Sequence, residues 1–263
     1  MIPKRVFYVW GYGEKKSNLA NICIENWRMM LPDYEIIEVN EKTKEWFDFD
    51  YEYENNLWFK TVYDLKMWAY VSDYIRVKTI YEHGGIYADT DITIYKNLDD
   101  LLKNNMFIGN QKNNIPDLAF FGAKKNNPIL KDMLEFYKDK IWKDPNYIII
   151  NIFKKIIFEK YDITYDNSKI HKFNDLTIYP YEYFFPYFYT EIFSHNMITT
   201  NTYTMHWCNA SWMNKKNIFF LSNKHRIPLK TLLKQLAFIE KVDTNANKKT
   251  QVLNVENENE TSK

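Results

Sequence analysis

Cysteine is nearly missing from this chain. Cys23 and Cys208 are the only two among 263 residues, and neither has a His or a second Cys at metal-ligand spacing. That excludes a disulfide framework and a zinc pattern, and it fits a chain working in a reducing cytoplasm. An excess of one charge is missing too: 35 Lys and Arg against 34 Asp and Glu leave a net charge of +1. No sequence-wide field therefore draws the chain to nucleic acid or to an anionic membrane. Long apolar runs are also absent. The most apolar window, 147–158, is broken by Lys154 and Lys155, and the opening Met-Ile-Pro-Lys-Arg enters a strand pattern without the apolar core of a signal peptide. Glycine is scarce, and the six present make no phosphate-binding loop. Gly11-Tyr12-Gly13 follows a strand pattern, but Lys16 stands where the third glycine of a dinucleotide fingerprint would be. Walker and Gly-x-Ser-x-Gly sequences are absent as well.

Aromatic residues, by contrast, are abundant: they make up 18% of the chain, with 21 Tyr and 8 Trp. Their flat faces and polar edges suit either core filling or stacking on a sugar or base, and core filling accounts for most of them. The length allows one large domain with a substantial core. Arg5 to Trp10 reads as a buried strand, Ser17 to Met30 as a helix capped by Ser17, and Tyr34 to Val39 as a second strand. This β-α-β beginning points to α/β layers.

Further along, Thr61 to His83 has the period of one long helix closed by Gly84, and Ile86 to Ala88 reads as a strand. "MFIGN" and "LAFFGA" are strand candidates, while Asn127-Pro128 makes a strong helix start. "LTIYPYEYFFPY" is expected to be extended or irregular around Pro180 and Pro186. A basic amphipathic helix over 228–242 carries a stripe of Leu229, Leu232, Leu233 and Leu236, expected to pack on the domain, with docking on a membrane surface as the alternative. From Asp243 the chain turns polar and is expected to be a disordered tail, so the expected domain is 1–242 and the tail 243–263.

The chemistry concentrates where the long helix meets the strand after it. Helical geometry puts Asp73 and Arg76 on one stripe with Leu65, Ala69, Ser72 and Ile80, either as a structural ion pair or as a donor and acceptor aimed into a cleft. Asp89-Thr90-Asp91 follows the strand. If the strand continues through it, both carboxylates project to one side and can share one Mg²⁺ or Mn²⁺; the plain alternative is a solvated acidic turn. His206, between Met205 and Trp207, is either a structural histidine or a ligand, and His83 at a helix end complements the helix dipole.

Taken together, "IPKRVFYVW", "CIENWRMMLPDYEIIEVNE", "SDYIRVKTIYEHGGIYADTDI" and "TNTYTMHWCNASW" resemble the glycosyltransferases with the Asp-x-Asp sugar-binding motif. That family includes mannosyltransferases and capsule-type sugar transferases and is related to the glucosylating clostridial toxins. The resemblance implies a GT-A fold, with a mixed central sheet flanked by helices in a single catalytic domain. It also implies retaining transfer of a hexose or N-acetylhexosamine from a nucleotide-sugar, UDP-linked before GDP-linked, to a glycan or glycoprotein acceptor. Carried over by motif, Trp10 stacks on the base, Asp73 and Arg76 hold donor-sugar hydroxyls, Asp89 meets ribose and metal, and Asp91 ligates the metal. His206 contacts metal or phosphate, and Ser211 and Trp212 belong to the element that closes over the diphosphate.

The chain departs from the family in lacking a Gly-Pro turn near "NYIIINIFKKII", which implies a reshaped acceptor side. Two rivals share some of these features. A haloacid-dehalogenase-type phosphatase also uses Asp-x-Asp-x-Thr after a strand, but it needs a later acidic motif, and no glycine here is followed by Asp. A non-catalytic carbohydrate-binding protein would use the aromatics without needing the carboxylates. The expected location is the cytoplasm, with peripheral contact at the inner face of the membrane as the variant.

Overall fold

The computed structural model describes residues 1–11, 15–188, 190–208 and 215–237. Tyr8 in the first strand, β1 (Arg5–Val9), joins one core while Phe7 turns to the opposite face against Trp46 and His83. This alternation, with both faces apolar, marks a strand buried in the middle of a layered sheet. Helix α1 (Asn18–Met30) follows, with the Ser17 hydroxyl accepting from the Ala20 amide as the expected cap. The next strand, β2 (Glu35–Val39), pairs with β1 in parallel, which completes the β-α-β opening.

The helix expected over Thr61–His83 is two helices. After α2 (Phe49–Asn55), α3 (Leu57–Asp64) ends at a left-handed Lys66 with φ of 56°, and α4 (Trp68–His83) begins two residues later. The Lys66 amide bonds to the Tyr63 carbonyl and the Met67 amide to the Val62 carbonyl, a Schellman closure made without glycine. Met67, between the two helices, is buried, so the apolar pattern runs on across the break. At the far end, α4 stops at Gly84, with φ of 65°, and Gly85 takes φ of 130°. A Cβ on Gly85 would lie 2.9 Å from the Phe7 ring, so the glycine pair both turns the chain and lets two strands close up.

The remaining elements are β3 (Gly85–Ala88), β4 (Ile92–Ile94), β5 (Met106–Asn110), β6 (Pro116–Ala123), α5 (Pro128–Lys138, capped by Asn127), α6 (Ile149–Tyr161), β7 (His171–Lys172), β8 (Thr177–Tyr179), α7 (Tyr181–Phe184), β9 (Thr204–His206) and α8 (Lys215–Asn223). Seven strands form one mixed sheet in the order β2-β1-β3-β6-β5-β8-β7, antiparallel at β3–β6, β6–β5 and β8–β7. Helices flank it, as the α/β reading expected. The short β4 and β9 pair separately, with Ile92 opposite His206.

By contacts the chain parts into two compact units, Met1–Asp139 with Ile148–Ser211, and Lys140–Tyr147 with Trp212–Lys263. The sheet lies in the first. In the second, Lys224 is buried and its ammonium donates to the carbonyls of Ile141, Asp144 and Asn146. Residues 229–237 are helical, with Leu232 and Leu236 buried, Leu229 half-buried and Leu233 exposed. Much of the leucine stripe is thus spent inside the protein. Residues 238–242 and the tail expected from 243 lie outside the described residues. Among the described residues, no helix is long and apolar enough to cross a membrane.

Candidate active site

Asp89 and Asp91 reach a common place by a route the alternation argument did not foresee. The strand stops at Ala88, and the Ile92 amide bonds back to the Asp89 carbonyl at 3.1 Å, so Asp89-Thr90-Asp91 is a tight turn. The turn is tied to the sheet through the Asp89 amide, which donates to Ala119 of β6 at 2.8 Å. From it the chain enters β4, whose antiparallel partner β9 sets His206 opposite Ile92. Its Nε2 is 3.2 Å from Asp91 Oδ1. One ligand atom from each of Asp89, Asp91 and His206 lies within 4.8 Å of the others.

Helix α1 holds this arrangement from below. The Trp27 indole donates to the Ile92 carbonyl at 2.7 Å, and the Asn26 amide side chain both accepts from Ile94 N and donates to Ile94 O. A three-residue strand has little pairing of its own, so these side-chain bonds fix β4 in place.

Arg76 organises the other side. It is 7% exposed, and its guanidinium faces Asp73 Oδ1 and Asp89 Oδ1, both at 3.2 Å, donates to the Leu118 carbonyl at 3.1 Å, and lies over the Tyr87 ring at 4.5 Å. The Tyr87 hydroxyl, 3.2 Å from Ser72 Oγ, donates to Asp89 Oδ1 at 2.7 Å. Burial opposes the Arg76 charge, but Asp89, Tyr87 and Asp73 outweigh it and hold the guanidinium protonated. Burial raises Asp73 to about 7, helped by Asp89 and Asp117 and resisted by Arg76. Asp89 is raised too, first by burial and then by Asp91, against Arg76. His206 is pushed up: burial would lower it, yet the hydrogen bond and charge of Asp91 prevail. A site with two carboxylates facing each other in a poorly solvated place invites a cation. Asp89 and Asp91 remain 27% and 17% exposed at the side chain, so an ion has access.

The structure therefore brings Asp73, Arg76, Asp89, Asp91 and His206 together. Trp10 sits just past the end of β1, whose parallel register with β3 places it at the same sheet end as Asp89. It is half-buried against the core, and its amide donates to Val39. Ser211 and Trp212 lie outside the described residues. Ser72 shares the stripe that helical spacing gave to Asp73 and Arg76, but two further participants carry no signal in the sequence. Tyr87 is an ordinary strand aromatic by composition, and Asp117 a lone acid at the head of a strand. Yet Asp117 is buried, with Oδ1 accepting from the Ala119 amide at 2.8 Å and Oδ2 from Gln111 Nε2 at 2.6 Å.

Residues 17–108, which hold α1, Arg76 and both carboxylates, match the family described as a glycosyltransferase sugar-binding region containing the DXD motif. The chain is also similar to inositol phosphoceramide mannosyltransferase 3 of Schizosaccharomyces pombe, at 32% identity over 106 residues, which are 38% of this chain and 27% of that protein. The match thus spans about a quarter of the relative's length. Among solved structures the chain overlays on the PaToxG glycosyltransferase, with a TM-score of 0.48 and 14% identity over 61% of this chain and 70% of that one. It also overlays on the glycosyltransferase GlyE of Streptococcus pneumoniae, with a TM-score of 0.43 and 13% identity over 91% and 64%. Such loose overlays decide nothing about chemistry, which is argued from the side chains of the site.

Proposed function

We propose that this protein is a divalent-metal-dependent glycosyltransferase that moves a hexose or N-acetylhexosamine from a nucleotide-sugar, UDP-linked before GDP-linked, to a hydroxyl acceptor with retention. The observation that carries the reading is the meeting of Asp89, Asp91 and His206 within 4.8 Å, directly beside the Arg76 guanidinium. Two carboxylates and one imidazole suit Mn²⁺, with Mg²⁺ second because it favours oxygen alone, and they leave coordination positions for phosphate oxygens. When bound, such an ion stabilises the charge that develops on a departing diphosphate.

The chain's own groups supply the rest. Arg76 and Asp73 offer a donor and an acceptor to sugar hydroxyls, and Tyr87 and Arg76 fix the Asp89 carboxylate. The acceptor oxygen bonds to the anomeric carbon as the sugar–phosphate bond breaks. The bonding pair leaves with the phosphate, and the acceptor's proton passes to that phosphate oxygen. No protein nucleophile is needed. The rival phosphatase reading needs a later Gly-Asp-type acidic motif, and no glycine here is followed by Asp. Two free thiols, Cys23 and Cys208, support work in a reducing compartment.

The test is Mn²⁺-dependent hydrolysis of UDP- and GDP-sugars by the full chain. At least one should turn over, and Asp91→Ala should lower its rate by about a hundredfold or more and abolish the metal dependence. Turnover of phosphomonoesters instead, or of neither class, would refute the proposal.

A further inference from the structure

The strand that leads into the two carboxylates stops at Ala88, and its neighbour shows why. The β3–β6 ladder pairs Gly85 with Ala123, Tyr87 with Phe121 and Ala88 with Phe120, and one step further it would set Asp89 opposite Ala119. Half of that pairing is made, since the Asp89 amide donates to the Ala119 carbonyl at 2.8 Å. In an antiparallel sheet the residues of such a pair exchange both bonds, so the Ala119 amide would be expected to donate back to the Asp89 carbonyl. Instead it donates to Asp117 Oδ1 at 2.8 Å, two residues earlier on its own strand. The Asp89 carbonyl accepts from the Ile92 amide at 3.1 Å, the bond that closes the Asp-x-Asp turn. Going on as a strand and turning back make rival demands on this carbonyl, and Asp117 takes away the donor for the first.

The surroundings of Asp117 fit this task. Its side chain is buried, and the second carboxylate oxygen accepts from Gln111 Nε2 at 2.6 Å, which fixes the orientation of the first. A short acidic side chain that captures a main-chain amide two residues on is a local alternative to ladder pairing. On the other edge of β6 the pairing with β5 jumps from Ile108–Phe121 to Gly109–Asp117, so Leu118, Ala119 and Phe120 bulge out of that ladder. Bulges of this kind re-aim backbone and side chains next to sites. Here the Leu118 carbonyl accepts from Arg76 at 3.1 Å while the next carbonyl, that of Ala119, holds Asp89. One segment of β6 thus carries both sides of the candidate site.

We infer that Asp117 is a positioning residue for the ion-binding cluster: by taking the Ala119 amide it ends the β3–β6 ladder at Ala88, and the turn this permits brings Asp91 back to Asp89 and His206. A strand carried on through Asp91 would set the two carboxylates about 7 Å apart along the chain and displace β4 from its pairing with β9. Asp117 acts only through the backbone here and touches neither ion nor sugar. Its importance to the reaction rests on the metal-dependent reading of Asp89, Asp91 and His206; its hold on the turn does not.

The test compares the full chain with its Asp117→Asn, Asp117→Ser and Asp117→Ala variants, by amide hydrogen exchange without metal and by calorimetric titration with Mn²⁺. Asn keeps an oxygen for the Ala119 amide, Ser offers a weaker one and Ala none. The measure is the protection of the Ile92 amide relative to that of Ile94, which bonds to the Asn26 side chain and not to the turn. In the Asn variant this ratio should stay within about threefold of wild type, in the Ala variant it should fall by about tenfold or more, and Ser should lie between. Mn²⁺ affinity should fall in the same order, by about tenfold or more for Ala. A general loss of stability would lower both amides together and leave their ratio alone. Should the Ala variant fail to fold, the Asn and Ser variants carry the comparison. A ratio unmoved in Ser and Ala would mean that the turn closes without Asp117, and an Asn variant as impaired as Ala or Ser would mean that charge matters and the captured amide does not; either result overturns the inference. A ratio that follows the series in a protein whose wild type binds no Mn²⁺ would refute the metal reading and leave Asp117 as the residue that makes the turn.

Discussion

Asp73 shows how a single side chain trades stability for a site. Its carboxyl is held at about 7 by burial, against an ordinary value near 4 in an unfolded chain. Between roughly pH 4 and pH 7 the folded state keeps a proton that the unfolded state has released, so this group's contribution to stability falls as pH rises through that window. Asp73→Asn removes the slope while Arg76 keeps Asp89 as a partner. Urea midpoints should show the variant close to wild type at pH 4.5 and more stable by about 1–4 kcal/mol at pH 8. Nucleotide-sugar turnover should fall in the same variant. Asp73 and Arg76 were legible as neighbours from helical spacing alone. That Tyr87 completes their network was not, because its hydroxyl's partner depends on where another element lies.

At the scale of elements, the site depends on β4 and β9, which are three residues each and held from α1. Asn26→Ala leaves the buried Ile94 amide without the 2.7 Å acceptor it now has, a loss of about 1–3 kcal/mol. It should also loosen the His206 position relative to Asp91. The expected result is a lower melting temperature together with weaker Mn²⁺ affinity by titration calorimetry; a loss of stability with unchanged affinity would show that β4 keeps its place without α1. Caps were readable in advance, at Ser17 and at Asn127-Pro128, because they act over three or four residues. The α3–α4 break was not, since Lys66 carries out a turn that glycine usually signals. Nor was the β4–β9 pairing, because such short strands have no period to detect and their partners are more than a hundred residues apart.

For the whole molecule, an ion that binds the folded chain and not the unfolded one must stabilise it by mass action. At a hundred times its dissociation constant, Mn²⁺ should add about 2.7 kcal/mol to the sheet-bearing unit. In a thermal melt followed by tryptophan fluorescence this appears as a rise of several degrees, reversed by a chelator and missing in Asp91→Ala. An equal rise in that variant would place the ion elsewhere.

The sequence by itself determined the layered α/β class, most of its strands and helix starts, and the list of candidate site residues, since each of these follows from local period, capping or a motif within a few residues. The tertiary structure decided that Asp-x-Asp is a turn and not a strand end, that His206 stands across from Ile92, and that Asp117 is buried with the Gln111 side chain and the Ala119 amide bonded to it. These are long-range facts. They are set by which strands pair and which buried polar groups must find partners, and the sequence pattern around one member of such a pair does not show the other.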